Sequence, residues 1–171
     1  MKYKIVILEN VQNHYEVIID RLHRSFQFEE YDFEIYPPVD NIGNFIKQCS
    51  DMVKNPEGIK NNLQNIFDNC ILLILDNNLI WNEESEMGEE DADKYGFKFR
   101  KLLLNNKIDN MIVCWVTSTP LIELQMNPQI FTNSFDKIGD RYISKDTLIT
   151  EENCFDPIWK YVKKHKIIQN G

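Results

Sequence analysis

No stretch of the sequence reaches the roughly 18 consecutive apolar residues of a membrane-spanning helix. The N-terminus, MKYKIVILEN, lacks the extended apolar region and small-residue cleavage site of a secretory signal. No cysteines are paired at metal-ligand spacing, since Cys49, Cys70, Cys114 and Cys154 stand far apart, and His14, His23 and His165 complete no ligand set. The thiols therefore read as reduced and buried, the usage of a cytoplasmic protein. Basic stripes are missing too. With 19 Lys and Arg against 27 Asp and Glu the formal charge is -8, which argues against nucleic acid and against an anionic membrane surface, because both need clustered cations. Six Gly and six Pro are too few for a disordered or fibrous chain.

What remains describes one globular domain. The 171 residues fall within the usual span of about 100–200 per domain, and 43% hydrophobic with 12% aromatic content supplies an ordinary core. Five runs read as strands: Tyr3–Leu8 (YKIVIL), Asp32–Tyr36 (DFEIY), Ile71–Leu75 (ILLIL), Met111–Val116 (MIVCWV) and Arg141–Ser144 (RYIS). Helical stripes lie between them. Tyr15, Ile18, Ile19, Leu22 and Phe26 mark a helix over 13–26. Others are expected over 41–54, over 57–68 with Pro56 at its start, over 93–105 and over 153–166. Thr119-Pro120 reads as the cap and first turn of a further helix ending by Pro128. Strands alternating with helices predict a mostly parallel, doubly wound α/β sheet. The chain ends soon after its last helical stretch, so residues 1–171 are expected to form a single domain with no attached output domain.

The strand ends carry the chemistry. In CILLILDNNLIW, an apolar run long enough for a strand buried on both faces meets Asp76. The first strand ends in Glu9-Asn10, the fourth in Thr117-Ser118 and the fifth in Lys145. In an open parallel sheet these C-terminal ends share one edge, where ligands bind. Each residue also has an ordinary reading. Asp76 can terminate a strand, Lys145 can be a surface lysine, and Thr117 can cap the next helix. Tyr142 can be strand packing, and Glu9-Asn10 can open the first helix.

These residues, in this order and at these strand ends, resemble the receiver domain of bacterial two-component response regulators. The resemblance spans the chain from Lys4 to the last helix. It implies a flavodoxin-like sheet of order 2-1-3-4-5, with Asp76 as phospho-acceptor and Thr117 and Lys145 as the hydroxyl and ammonium that hold the phosphoryl group. Mg2+ would be held by Glu9, Asn10, Asp76 and the backbone carbonyl of Asn78, with Ser118 and Tyr142 as switch positions. The implied partners are a histidine kinase or phosphotransfer protein and a downstream protein. The chemistry suits the residue types. A carboxylate that attacks a phosphoryl donor needs cations beside it, and Mg2+ takes one or two carboxylates plus water and phosphate oxygen.

Several positions depart from the family. Asn10 stands where a second acid is usual, which removes a charge from a hard-cation site. Asp146 replaces the proline after the lysine and could compete for Lys145. Leu79-Ile80 replaces a Met-Pro, and 37–69 is long enough for two helices instead of one. The stretch after Asp76 holds seven acids between Glu83 and Asp93, which reads as a solvated loop or as an attractor for cations or a basic partner. Trp81 is expected to pack onto the domain.

Two other function classes remain open. One is a receiver-like adaptor that has lost phosphorylation. The other, weaker, is a Mg2+-dependent phosphoryl-transfer enzyme; neither LENVQN nor LDNNLIW holds the glycines of a phosphate-cradling loop.

Overall fold

The computed structural model describes residues 2–79, 95–126, 140–165 and 167. The expectations for Trp81, the acidic stretch and the segment from Pro128 to Gly139 lie outside them. The element order is β1 (Tyr3–Leu8), α1 (Gln12–Ser25), β2 (Phe33–Tyr36), a 3-10 turn (Val39–Asn41), α2 (Ile42–Lys54), α3 (Lys60–Phe67), β3 (Cys70–Leu75), α4 (Tyr95–Asn105), β4 (Ile112–Thr117), α5 (Leu121–Gln125), β5 (Arg141–Ser144), α6 (Lys145–Thr150) and α7 (Asp156–Lys164). The five strands form one all-parallel sheet in the order β2-β1-β3-β4-β5. This is the flavodoxin-like α/β arrangement.

Burial explains the sequence pattern. Every residue of β3 and of β4 is buried, so these central strands read as unbroken apolar runs, as a sheet covered on both faces requires. The edge strands β2 and β5 are only half-buried. Helix α1 turns Tyr15, Ile18 and Leu22 inward, and α4 buries Phe99, Leu102 and Leu103 against the sheet. The four cysteines are free and buried, and burial pushes the Cys70 thiol up to about 12. Among the described residues, no helix is long and apolar enough to cross a membrane.

Two local expectations are corrected. Pro56 does not start α3: a turn at Gly58, with a φ of 69°, intervenes, and the helix begins at Lys60. Thr119 does not cap α5, whose N-terminus at Pro120 has no side-chain cap. A short helix that periodicity did not reveal, α6, follows β5 without a loop; the Ser144 hydroxyl accepts the Thr147 N–H at 3.0 Å as its cap. With only Leu148 buried in it, α6 has no stripe to detect.

Arg21 ties this ending to the body of the fold. Its guanidinium donates to the carbonyls of Leu148 and Ile149 at 3.2 and 3.1 Å, satisfying acceptors that the end of α6 leaves open.

Candidate functional site

Sheet register builds the site. Leu8 pairs with Leu75 across β1 and β3, and the Asp76 amide donates to the Leu8 carbonyl at 3.0 Å. The next residue on each strand, Glu9 and Asp76, therefore leaves the sheet side by side. On the other flank Thr117 pairs with Ser144, which sets Lys145 one residue beyond the edge. Parallel register thus gathers side chains that lie far apart in sequence.

Lys145 Nζ donates to Asp76 Oδ2 at 2.7 Å and lies 3.0 Å from Glu9 Oε2. The first contact is a charge-assisted hydrogen bond. The second is an ion pair without hydrogen-bond direction, so Glu9 Oε2 has a nearby charge but no hydrogen bond. Glu9 Oε1 accepts the Val11 N–H at 2.9 Å, and Asp76 Oδ1 accepts the Asn78 N–H at 3.1 Å. Both carboxylates are almost fully buried, at 1% and 2% exposure, and the one ammonium between them is the compensating charge for the pair.

Protonation follows the same geometry. Burial pushes the Glu9 carboxyl above its usual range, and the Asp76 charge adds to that; Lys145 and the Val11 amide oppose it only partly. For Lys145, burial works against the charged form, but the Asp76 hydrogen bond and the charges of Asp76 and Glu9 outweigh it and the ammonium is strengthened. His14 lies 3.8 Å from Glu9. Burial, and then the charge of Lys145, hold its imidazole below its ordinary value.

The other predicted residues are distributed as follows. Asn10 is half-buried beside Glu9 in the chain, and its Oδ1 is buried without a hydrogen-bond partner. Thr117 is fully buried, and its hydroxyl is turned to Thr119: it donates to Thr119 Oγ1 at 3.3 Å and accepts the Thr119 N–H at 3.1 Å. Ser118 is exposed. Tyr142 is half-buried on β5 and its phenol donates to the Thr119 carbonyl at 3.1 Å. Burial and the Asp146 carboxylate raise its pKa. Asp146 is exposed on the first turn of α6; Lys145 spends its ammonium on Asp76 and Glu9 instead.

Three residues that sequence reading did not single out, and Thr119, which it read only as a helix cap, shape the same edge. Asn77 is buried; its Nδ2 donates to Thr119 Oγ1 at 3.1 Å and its Oδ1 accepts the Phe97 N–H at 3.3 Å. Thr119 Oγ1 donates onward to Asn78 Oδ1 at 3.1 Å. Gly96, in the first turn of α4, lets that helix lie against the loop that follows β3. A Cβ there would sit 2.5 Å from the Asp76 carbonyl oxygen and 2.6 Å from Asn77 Cα. Asp140, just ahead of β5, is buried between Arg100 Nη2 at 3.0 Å and Trp115 Nε1 at 2.8 Å, which fixes the approach to β5. Of Asn77, Gly96 and Asp140, only Gly96 carries a sequence signal, as a lone glycine inside a helical stripe.

The donor set suits a hard cation. Glu9, Asp76, the unpartnered Asn10 Oδ1 and the Asn78 carbonyl are all oxygen ligands, as Mg2+ prefers. Among the described residues, no group of three or more His, Cys, Asp or Glu side chains is gathered as a metal cluster, so the amide and the carbonyl would have to complete the shell.

No family model, curated protein or solved structure matches the chain.

Proposed function

We propose that the chain is a phospho-receiver: Asp76 accepts a phosphoryl group, with Mg2+ as cofactor, and the resulting charge alters the surface offered to a protein partner. The observation that carries this reading is the Lys145 bridge, which places one ammonium on the Asp76 carboxylate and on the neighbouring Glu9. An isolated strand-end aspartate would not need a buried lysine from the far side of β4.

The residues divide the work. One Asp76 oxygen attacks phosphorus, forming the O–P bond as the bond to the donor's leaving group breaks. The leaving group, an imidazole of a histidine kinase or phosphotransfer protein or a carboxylate of an acyl phosphate, departs with the electron pair. Lys145 stays in place to pair with a phosphoryl oxygen. The Asn78 N–H, already on Asp76 Oδ1, orients the carboxylate. Thr117 would donate its hydroxyl to a second phosphoryl oxygen after leaving Thr119. Glu9, Asn10, Asp76 and the Asn78 carbonyl would hold the cation, which when bound offsets the charge of the transferring group. Such a site belongs to a cytoplasmic signalling protein.

A second reading, an adaptor that binds its partner without phosphorylation, is favoured by one observation. Asn10 supplies no charge, and the Lys145 ammonium already lies against both carboxylates, offsetting part of their charge without a metal.

Covalent labelling separates the two. Incubated with acetyl phosphate and Mg2+, the chain should acquire one phosphoryl group that hydroxylamine removes, as an acyl phosphate requires. Label retained in Asp76→Asn would sink the assignment.

A further inference from the structure

Thr119 has no part in the chemistry just described, yet its hydrogen bonds join the ends of β3 and β4 to β5, and through Asn77 to α4. Thr119 Oγ1 accepts from Asn77 Nδ2 and from Thr117 Oγ1, and donates to Asn78 Oδ1. That uses its one proton and both lone pairs. Its N–H is held by Thr117 and its carbonyl by Tyr142. Asn77 carries the connection on to α4 through the Phe97 N–H.

We infer that Thr119 is a positioning residue, the hub of a latch that holds Thr117, Tyr142 and the Asn77-Asn78 loop in the unphosphorylated arrangement. This rests on the phospho-receiver reading and names the regulation of that site. The argument is a count of protons. The Thr117 hydroxyl has one, and it is given to Thr119. It cannot serve a phosphoryl oxygen on Asp76 at the same time. Charging Asp76 therefore takes a donor away from Thr119. As Thr117 turns, the Thr119 N–H loses its acceptor as well, and the segment whose carbonyl holds the Tyr142 phenol is released. Asn77 loses its orientation at the same hub, so the change also reaches the first turn of α4. A local charge event is thereby converted into two displacements, one on β5 and one at the start of α4.

The latch predicts an unusual combination of effects. Thr119→Val keeps the shape and removes the hydroxyl. It leaves Thr117 free to turn to Asp76 and leaves the Asn77 amide without an acceptor. Stability should fall while the labelling rate rises; a threonine with a purely structural role would lower both together. Thr119→Ser, which keeps the hydroxyl, should behave as wild type.

The experiment uses the full chain with two readouts. The first is amide hydrogen exchange at Thr119 and Phe97 without any donor. The second is the rate of Asp76 labelling by acetyl phosphate with Mg2+. Thr119→Val should speed exchange at both amides by roughly three- to tenfold, the equilibrium counterpart of one ordinary hydrogen bond, and should speed labelling in the same direction. Unchanged exchange, loss of wild-type behaviour in Thr119→Ser, or slower labelling would overturn the latch. If Thr119→Val does not fold, Tyr142→Phe releases the Thr119 carbonyl alone; faster exchange at Thr119 supports the latch and unchanged exchange overturns it. If wild type takes no label, the phospho-receiver reading fails, and the latch is then judged on exchange alone.

Discussion

Lys145 Nζ and Asp76 Oδ2 meet at 2.7 Å across the C-terminal edge of the sheet, 69 residues apart in sequence. The contact lies at the strand-end margin of the fold, where removing the lysine leaves two almost fully buried carboxylates without their cation. Lys145→Met should therefore cost about 3 kcal/mol at neutral pH. That is the lower end for breaking a buried pair, because 12% of the lysine side chain stays exposed. Chemical denaturation measures it. Asp76→Asn in the same chain should recover much of the loss, since the orphaned charge disappears with it. A loss as large in the double variant as in the single one would show that the lysine acts by packing.

The buried Glu9 carboxylate costs the fold stability. Its pKa is raised in the folded chain, by burial and then by Asp76, so the native state binds its proton more tightly than the unfolded state does. Between the ordinary carboxylate value and the raised one, stability falls as pH rises, and the ionised residue remains a cost above that window. Glu9→Gln should raise the melting temperature at pH 7, and the advantage should shrink as pH falls toward 4.5, the ordinary value. A variant less stable than wild type at pH 7 would contradict the burial argument. The same substitution should weaken Mg2+ binding.

Lys145 has a linkage of the same sign in an alkaline window. Its folded pKa is raised through Asp76 and Glu9 despite burial, so its contribution is fully present below the unfolded value and is lost as pH climbs through the folded one. The wild-type chain should show an alkaline loss of stability above about 10.5 that Lys145→Met lacks. Equal alkaline slopes in the two proteins would contradict this.

Gly96 can be tested by a single methyl. Alanine normally favours a helix interior by up to about 1 kcal/mol over glycine. Here its Cβ would meet the Asp76 carbonyl and Asn77 Cα at 2.5 and 2.6 Å, and backbone atoms cannot swing aside. Overpacking of this kind costs about 1–3 kcal/mol, so Gly96→Ala should be destabilised on balance and should label more slowly because Asp76 is displaced. A stabilised variant would mean that α4 does not press on the acceptor loop.

On the proposed reading, Asn10 limits the cation affinity. Its Oδ1 is buried and unpartnered, a ligand without a charge. Asn10→Asp should tighten Mg2+ binding by roughly an order of magnitude, the scale on which ligand charge tunes hard-cation sites. Titration calorimetry reads this directly. Unchanged affinity would place the cation elsewhere.

How far the sequence discloses this molecule depends on the kind of signal. The central strands were legible because burial on both faces leaves unbroken apolar runs, as in ILLIL and MIVCWV. Alternation with helical stripes then fixed a parallel sheet, and the strand-end rule brought Glu9, Asp76, Thr117 and Lys145 to one edge before any coordinate. Side-chain direction was not legible. Nothing in VTSTP says that the Thr117 hydroxyl turns to Thr119, or that Thr119 bonds across to β3's loop instead of capping α5. Asn77 has no period to reveal it, because its partners are 20 and 42 residues away. Helix α6 escaped for a different reason: six residues with one buried side chain are stabilised by the Ser144 cap and by Arg21, both contacts of the folded state.

The most direct test of the whole account is the intact mass of the chain after incubation with acetyl phosphate and Mg2+, followed over time for wild type and Asp76→Asn. The account predicts a single phosphoryl adduct in wild type that is absent from the variant and does not form without the cation. No adduct at saturating donor and Mg2+, in wild type and in Asn10→Asp alike, would contradict it and leave the adaptor reading.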